Sequence, residues 1–267
     1  MVNFQCMDHY SMEDLLRVME LLRAPEGCPW DREQTHQSIR RNMLEEAYEV
    51  AEAIDNRDTA NLKEELGDVL LQVVFHSRMA QEEGLFTFDD VVDGICKKLV
   101  FRHPHVFGTV EAGDADGALS AWEKQKREEK GQKSAADTLD GVARSLPALM
   151  RAEKIQDKAK KAGFDWPDID GPWQKVQEEL GELAAAKDQT AREDELGDCL
   201  FALVNLARFL AVDSEDALRH TVKKFIRRFD HIESRLAEQG RAWEQTSLEE
   251  MDALWDEAKA QENKIAE

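Results

Sequence analysis

The sequence contains no Cys-x-x-Cys pair. Its four cysteines, Cys6, Cys28, Cys96 and Cys199, stand far apart, so neither a zinc site nor a disulfide framework is indicated. Reduced thiols in a cytosol fit best. No apolar run approaches the roughly 20 residues of a membrane span, so no membrane partner is expected. Met1 to Tyr10 lacks a basic region followed by an apolar stretch, so no signal peptide is expected and the location reads as cytoplasmic. Backbone breakers are scarce, with 14 Gly and 6 Pro among 267 residues, and no stretch alternates as a half-buried strand would. Positive charge is also short: 35 Lys and Arg face 56 Asp and Glu, a formal net charge of −21. That surface repels nucleic-acid backbones, which argues against long DNA or RNA as a partner. A small anionic substrate would need local help from a metal or a basic cluster.

What is abundant favours helix. Ala, Leu, Glu and Lys dominate, and a hydrophobic fraction of 42% supports a sizeable core. Apolar periodicity predicts helices over Met12–Arg23, Arg40–Asp55, Thr59–Glu83, Phe88–Arg102 and Leu119–Glu129. It predicts others over Pro147–Lys161, Pro172–Asp188, Ala191–Ala211, Ser214–Gln239 and Leu248–Lys264. Ala24-Pro25-Glu26-Gly27-Cys28-Pro29-Trp30-Asp31 and Gly163-Phe164-Asp165-Trp166-Pro167 are loops by their breakers. Trp30 is expected to anchor its loop in apolar surroundings, Asp31 to cap the turn that follows, and Ser214 to cap its helix. The segment 118–140 reads as a polar linker with a short helix. The expected architecture is all-α, with helical-bundle domains over 1–117 and 141–267.

One sequence step occurs twice. Glu65-Leu66-Gly67-Asp68 and Glu195-Leu196-Gly197-Asp198 each lead into a strongly apolar run. Each follows another acidic step, Glu46-x-x-Glu49 and Glu179-x-x-Glu182. At an offset of 130, Leu70 meets Leu200, Val74 meets Val204 and Arg78 meets Arg208. Further on, Lys97-Lys98-Leu99 resembles Lys223-Lys224-Phe225, and Arg102 meets Arg228. Duplication of a helical unit is the simplest account, since this period is too long for a solenoid.

Residues three apart share a helix face. Two such helices side by side would aim four carboxylates at one point. All-oxygen sites suit hard cations such as magnesium, with manganese able to substitute. A di-iron centre would need two Glu-x-x-His steps in the bundle core, and Glu33-x-x-His36 near a loop is the one found. The plain competitor is a solvated acidic face. Gly67 and Gly197 lie inside predicted helices, and either close helix packing or room beside the acids would account for them. Lys175 lies one turn before Glu179, and Lys224 and Arg228 are similarly spaced with Arg227 beside them. They are candidates to hold phosphate oxygens, with surface ion pairing as the competing account. Trp255 is a candidate to stack on a base, or else a core residue.

Together, several stretches resemble the MazG-type nucleoside triphosphate pyrophosphohydrolases. They are Gly27-Cys28-Pro29-Trp30-Asp31, His103-Pro104-His105-Val106-Phe107, Arg144-Ser145-Leu146-Pro147-Ala148-Leu149, Gly163-Phe164-Asp165-Trp166 and the two acid sets. The resemblance implies tandem all-α domains, homodimers built from helical bundles, and magnesium-dependent conversion of NTPs to NMP and pyrophosphate. Removal of non-standard nucleotides is an implied role. It makes Glu179, Glu182, Glu195 and Asp198 the metal ligands and catalytic acids. It places Lys175, the Lys224-to-Arg228 stretch and Trp255 where the family contacts nucleotide. Glu46, Glu49, Glu65 and Asp68 are expected, by the same resemblance, to offer a second metal site. There Asn42 stands in the place of Lys175, and Pro104 cuts the basic helix, so the second copy is expected to be the main active site. A non-catalytic nucleotide-binding or regulatory dimer scaffold is the alternative.

Overall fold

The computed structural model describes residues 4, 6–109, 113–132 and 134–266, leaving aside the side chains of 263–266. Among the described residues there is no strand. In order, the helices are α1 (Met12–Arg23), α2 (Pro29–Glu33), α3 (Arg40–Asp55), α4 (Thr59–Glu82), α5 (Phe88–Arg102), α6 (Pro104–Phe107) and α7 (Ala115–Glu129). There follow α8 (Ala135–Asp140), α9 (Ala148–Lys161), α10 (Asp170–Ala185), α11 (Gln189–Phe209), α12 (Ser214–Glu238) and α13 (Leu248–Ala266), with a 3-10 turn at Trp243–Gln245. The chain divides into two compact units, Met1–Lys126 and Arg127–Glu267. That division falls within the expected 118–140 linker, and α7 runs through it.

Each unit contains a helical hairpin, α3–α4 in the first and α10–α11 in the second. Asp58 and Asp188, at the same offset of 130, start the second arm of each. Asp58 accepts from the backbone N–H groups of Ala60 and Asn61 at 3.1 and 3.0 Å, and Asp188 from that of Ala191 at 3.0 Å. Such a cap satisfies orphan donors and contributes about 1 kcal/mol. It also fixes where the helix starts, and hence which way Glu65 and Glu195, about two turns on, will point. Gly84, at φ +71°, stops the chain after α4, and Gly240, at φ +64°, does so after α12.

The first core gathers Met19, Ile39, Val74, Phe75 and Met79, with Met12, Leu15, Leu16, Leu71 and Phe88 packed against them. The second gathers Val176, Ala202 and Leu206, with Ile169 against them. An arginine fastens the loop ahead of each hairpin. In the first unit, buried Arg23 donates to the carbonyls of Asp31 and Gln34, pairs with Glu82 at 2.8 Å and lies over the Phe75 ring. In the second, Arg208 forks onto Asp165, one arm at 3.0 Å. Gly27 is obligatory in the first loop, because a Cβ there would run into the carbonyl oxygens of Leu21 and Leu22.

Several expectations are corrected. Pro29–Glu33 is a short helix with proline at its first position, so Asp31 lies inside it and caps nothing. Trp30 is 58% exposed and anchors no core. The cap of α12 is Asp213, which accepts from Asp216 N–H, and Ser214 is the first helical residue. Ala135–Asp140, read as polar linker, is helical because Ser134 and Asp137 form a reciprocal capping box.

The Arg208–Asp165 pair has a pH signature. Its hydrogen bond and charge hold the Asp165 carboxyl below the ordinary 3.8. The stability it adds is therefore complete above that value and is lost as pH falls through the depressed one. Replacing Asp165→Asn should cost about 2 kcal/mol in urea unfolding at pH 7, and the gap from wild type should close in strong acid.

Candidate metal centre

The acids converge in both hairpins. Glu46 and Glu49 of α3 and Glu65 of α4 can each bring an oxygen within 4.8 Å of the others. Asp68 is not among these three, but its charge bears on both Glu46 and Glu65. In the second hairpin, Glu179 of α10 and Glu195 and Asp198 of α11 meet by the same measure. Glu178, Glu179 and Glu182 form an overlapping group. Glu179 is the shared vertex. Glu178 was not singled out in the sequence, where adjacent glutamates look interchangeable until the helix phase is known.

Crowding leaves its mark on the titrations. Burial first, then the charges of Glu182, Glu179 and Asp198, push the Glu195 carboxyl above its usual value. Burial and the neighbouring acids raise Glu46 and Glu65 likewise. Buried Cys199 is pushed up by burial and by Glu179, Glu195 and Asp198. The charges acting most strongly on Glu195 are all carboxylates.

Glu179 is the decisive side chain. It is 4% exposed. One of its oxygens takes Lys175; the other, Oε2, is buried without a partner. An unsatisfied buried acceptor costs about 1–3 kcal/mol, more when charged. Glu179 also converges with Glu195 and Asp198, and an unpartnered carboxylate oxygen in such a group fits a hard divalent cation and nothing apolar. Lys175 also pairs with Glu178 at 2.8 Å, and the two acids hold its proton more tightly than usual.

Two of the other cationic candidates, Arg227 and Arg228, are engaged with Glu262. Arg228 donates to Glu262 at 2.7 and 2.9 Å, and Arg227 donates to the same carboxylate at 3.1 Å. Arg228 lies 5.4 Å from the Trp255 ring centre, and that ring is tilted against Phe225 at 5.0 Å. Lys224 is half-buried on α12. The first unit has a matching contact, with Arg102 lying 5.3 Å from the ring of Trp122 and Lys126 4.6 Å from it. Trp122, Lys126 and Glu129 stand at an offset of 133 from Trp255, Lys259 and Glu262, the same offset that relates Glu46 to Glu179. The segment taken as a linker thus carries the counterpart of the last helix. The repeated Trp-x-x-x-Lys-x-x-Glu spacing was the signal that could have revealed it.

A family profile described as the MazG nucleotide pyrophosphohydrolase domain matches residues 34–107 and 173–233. The chain is 47% identical over 248 residues to the nucleoside triphosphate pyrophosphohydrolase/pyrophosphatase MazG of Thermotoga maritima, covering 92% of this chain and 95% of that one. This chain belongs to the MazG family. It is also 46% identical to the nucleoside triphosphate pyrophosphohydrolase of Escherichia coli K12, over 94% of this chain and 98% of the relative. Both matched segments of the MazG profile contain one acid group. Each acid hairpin thus overlaps one matched segment.

The glycines beside the acids are now distinguishable from packing glycines. A Cβ at Gly67 or Gly197 would meet nothing within 4 Å. Close helix packing is excluded among the described residues, and the space beside the acids is open. Gly197→Ala should therefore raise stability in urea unfolding by about 0.5–1 kcal/mol. If the space receives substrate, the same change should raise KM for a nucleoside triphosphate while the fold gains stability.

Proposed function

We propose that this chain hydrolyses nucleoside triphosphates to nucleoside monophosphates and pyrophosphate, with the second hairpin as the principal site. Membership of the MazG family supports the reaction class. The unpartnered oxygen of buried Glu179, and the convergence of that residue with Glu195 and Asp198, support the site. Water adds across the anhydride between the α- and β-phosphates, and the departing group is pyrophosphate.

Glu179, Glu182, Glu195 and Asp198 would hold magnesium, with manganese as a substitute, and Glu46, Glu49, Glu65 and Asp68 would hold a second ion. Bound there, the ion would supply Lewis-acid polarisation of phosphate oxygens and acidification of a water. The chain's own part is positional and electrostatic. Glu179 is fixed by burial and by Lys175. Lys175 can exchange a carboxylate for a phosphate oxygen once a cation neutralises the acids. Lys224, Arg227 and Arg228 would take negative charge from the leaving pyrophosphate, with Glu262 presetting the two arginines. Trp255 would flank the base.

The first hairpin keeps its acids and an Arg–Trp contact but has Asn42 in place of Lys175, which supports a weaker or regulatory site there. A homodimer of cytoplasmic protein is the proposed state. Support for the dimer comes from Leu218, Val222, Phe225 and Phe229, exposed at helical spacing along α12. No helix is long and apolar enough to cross a membrane among the described residues.

Glu195→Ala, assayed for pyrophosphate release with magnesium and an NTP, should lose at least about 100-fold in kcat/KM, a ligand loss being more severe than loss of a supporting contact. Undiminished release would remove Glu195 from the reaction.

Metal linkage gives a separate readout. Glu46, Glu65 and Glu195 are raised above the ordinary 4.5 in the fold. Their contribution to stability is present below that value and is lost as pH rises through the raised ones. A cation reverses the loss once the acids are ionised. Magnesium should therefore raise the melting temperature more at pH 7.5 than at pH 5, whereas a purely structural acidic scaffold would melt identically with and without it.

A further inference from the structure

The repeat diverges at one buried contact. In the first unit, His36, on the loop between α2 and α3, faces His76 of α4. Their Nδ1 atoms are 2.7 Å apart and the rings are parallel within 6°. Gln72, one helical turn before His76, is 6% exposed with its Oε1 unpartnered. At the hairpin offsets of 133 and 130, the second unit carries Ile169 for His36, Ala202 for Gln72 and Leu206 for His76. Those three belong to the second unit's apolar core, with Ile169 packed on the cluster that contains Ala202 and Leu206. A polar stripe in one copy thus occupies the place of an apolar stripe in the other.

Two imidazoles can share one hydrogen bond through their Nδ1 atoms only while at least one lacks a proton there. With both rings neutral, one Nδ1–H donates and the other Nδ1 accepts. A first added proton keeps the bond. A second turns both atoms into donors on two facing cations, and the contact breaks. We propose that His36 and His76 are a pH-operated latch of the first unit, closed near neutrality and opened by double protonation, which the second unit has exchanged for a permanent apolar contact. The loop it fastens runs directly into α3, whose Glu46 and Glu49 meet Glu65 of α4. Opening it frees one arm of the first acid hairpin from the other, and leaves the second hairpin untouched.

Among the described residues, no carboxylate is among the groups that shift His76. From α1, Glu20 and Arg23 face Arg78 and Glu82. From α3, Glu46 and Glu49 face Glu65. From α5, Asp90 is held by Thr87 and Asp93 by Lys97. From α2, Asp31 accepts from Arg23 through its backbone carbonyl, and the Arg32 guanidinium donates to the carbonyl of Pro25. The groups that shift His76 are burial and His36, and both hold it below its ordinary 6.5. A histidine lowered in the fold adds stability that is present at higher pH and fades as pH falls through the interval below 6.5.

Hydrogen exchange on the full chain tests the latch. After correction for intrinsic rates, amides at 35–39 should exchange roughly tenfold faster at pH 5.5 than at pH 7.5, the mark of a local opening that protonation favours. Amides at 168–171 should show no such difference. The double replacement His36→Ile with His76→Leu, which installs the second unit's pair, should abolish the response. Equal protection of 35–39 at the two pH values, or a response that survives the double replacement, would overturn the latch. Should the double variant not fold, nitrogen-15 shifts of the wild-type histidines decide. Coupled titration with one protonated Nδ1 at pH 7.5 supports the latch, and two independent titrations near 6.5 refute it.

Discussion

Like charges crowded at the junction of two helices constrain everything else in each unit. Carboxylates within 4.8 Å of one another repel, and burial removes the water that would screen them. The hairpin must be held by something other than its acids. Short connections at Asn56–Asp58 and Ala186–Asp188, aspartate caps and an apolar stripe beneath the acids do this work. Buried Val74 and Val204 occupy equivalent positions on that stripe, nine residues beyond Glu65 and Glu195. The fold thus holds its ligands apart from its stabilising contacts. A cation can then be bound and released without the helices parting.

Duplication makes each unit a control for the other. What both retain is the caps, the acids, the open glycines at 67 and 197, and an arginine over a tryptophan. What differs is local and chemical. Lys175 neutralises the second acid group from within, where Asn42 brings no charge to the first. The first unit's contact is a pair of titratable imidazoles, and the second unit's isoleucine–leucine core does not titrate at all. The contact beneath the second copy's acids is thus indifferent to pH, and the first copy's is open to it. That division would let one fold carry two sites of different sensitivity.

Much of this was legible in the sequence because the decisive signals were local. Helices at Met12–Arg23, Arg40–Asp55 and Phe88–Arg102 end where periodicity and breakers said they would. The acid pairs were readable because i, i+3 spacing is a property of one helix. The misreadings arose where two neighbouring residues offered similar chemistry, or where a contact spanned the chain. Asp213 and Ser214 are both good caps, and only backbone angles choose between them. Trp30 looked like an anchor because tryptophan usually is one, yet its loop is fastened by Arg23 through backbone carbonyls, leaving the ring outside. The pairing of His36 with His76 links residues 40 apart, and no local pattern announces it.

The net charge of −21 sharpens the question of how a polyanion reaches such a protein. In the free state the nearby cations are already neutralised: Lys175 by Glu178 and Glu179, Arg227 and Arg228 by Glu262. A bare triphosphate would meet repulsion from the acids and no free cation among these residues. A triphosphate arriving with its divalent ion brings the charge that the acid group lacks. An ion held by Glu179, Glu195 and Asp198 would weaken the pull of the acids on Lys175 and would leave the lysine available to phosphate. The same internal pairs that make the cations look idle in the free protein thus make their release conditional on metal. Metal and nucleotide binding would then be coupled by charge alone, with no rearrangement of the helices required.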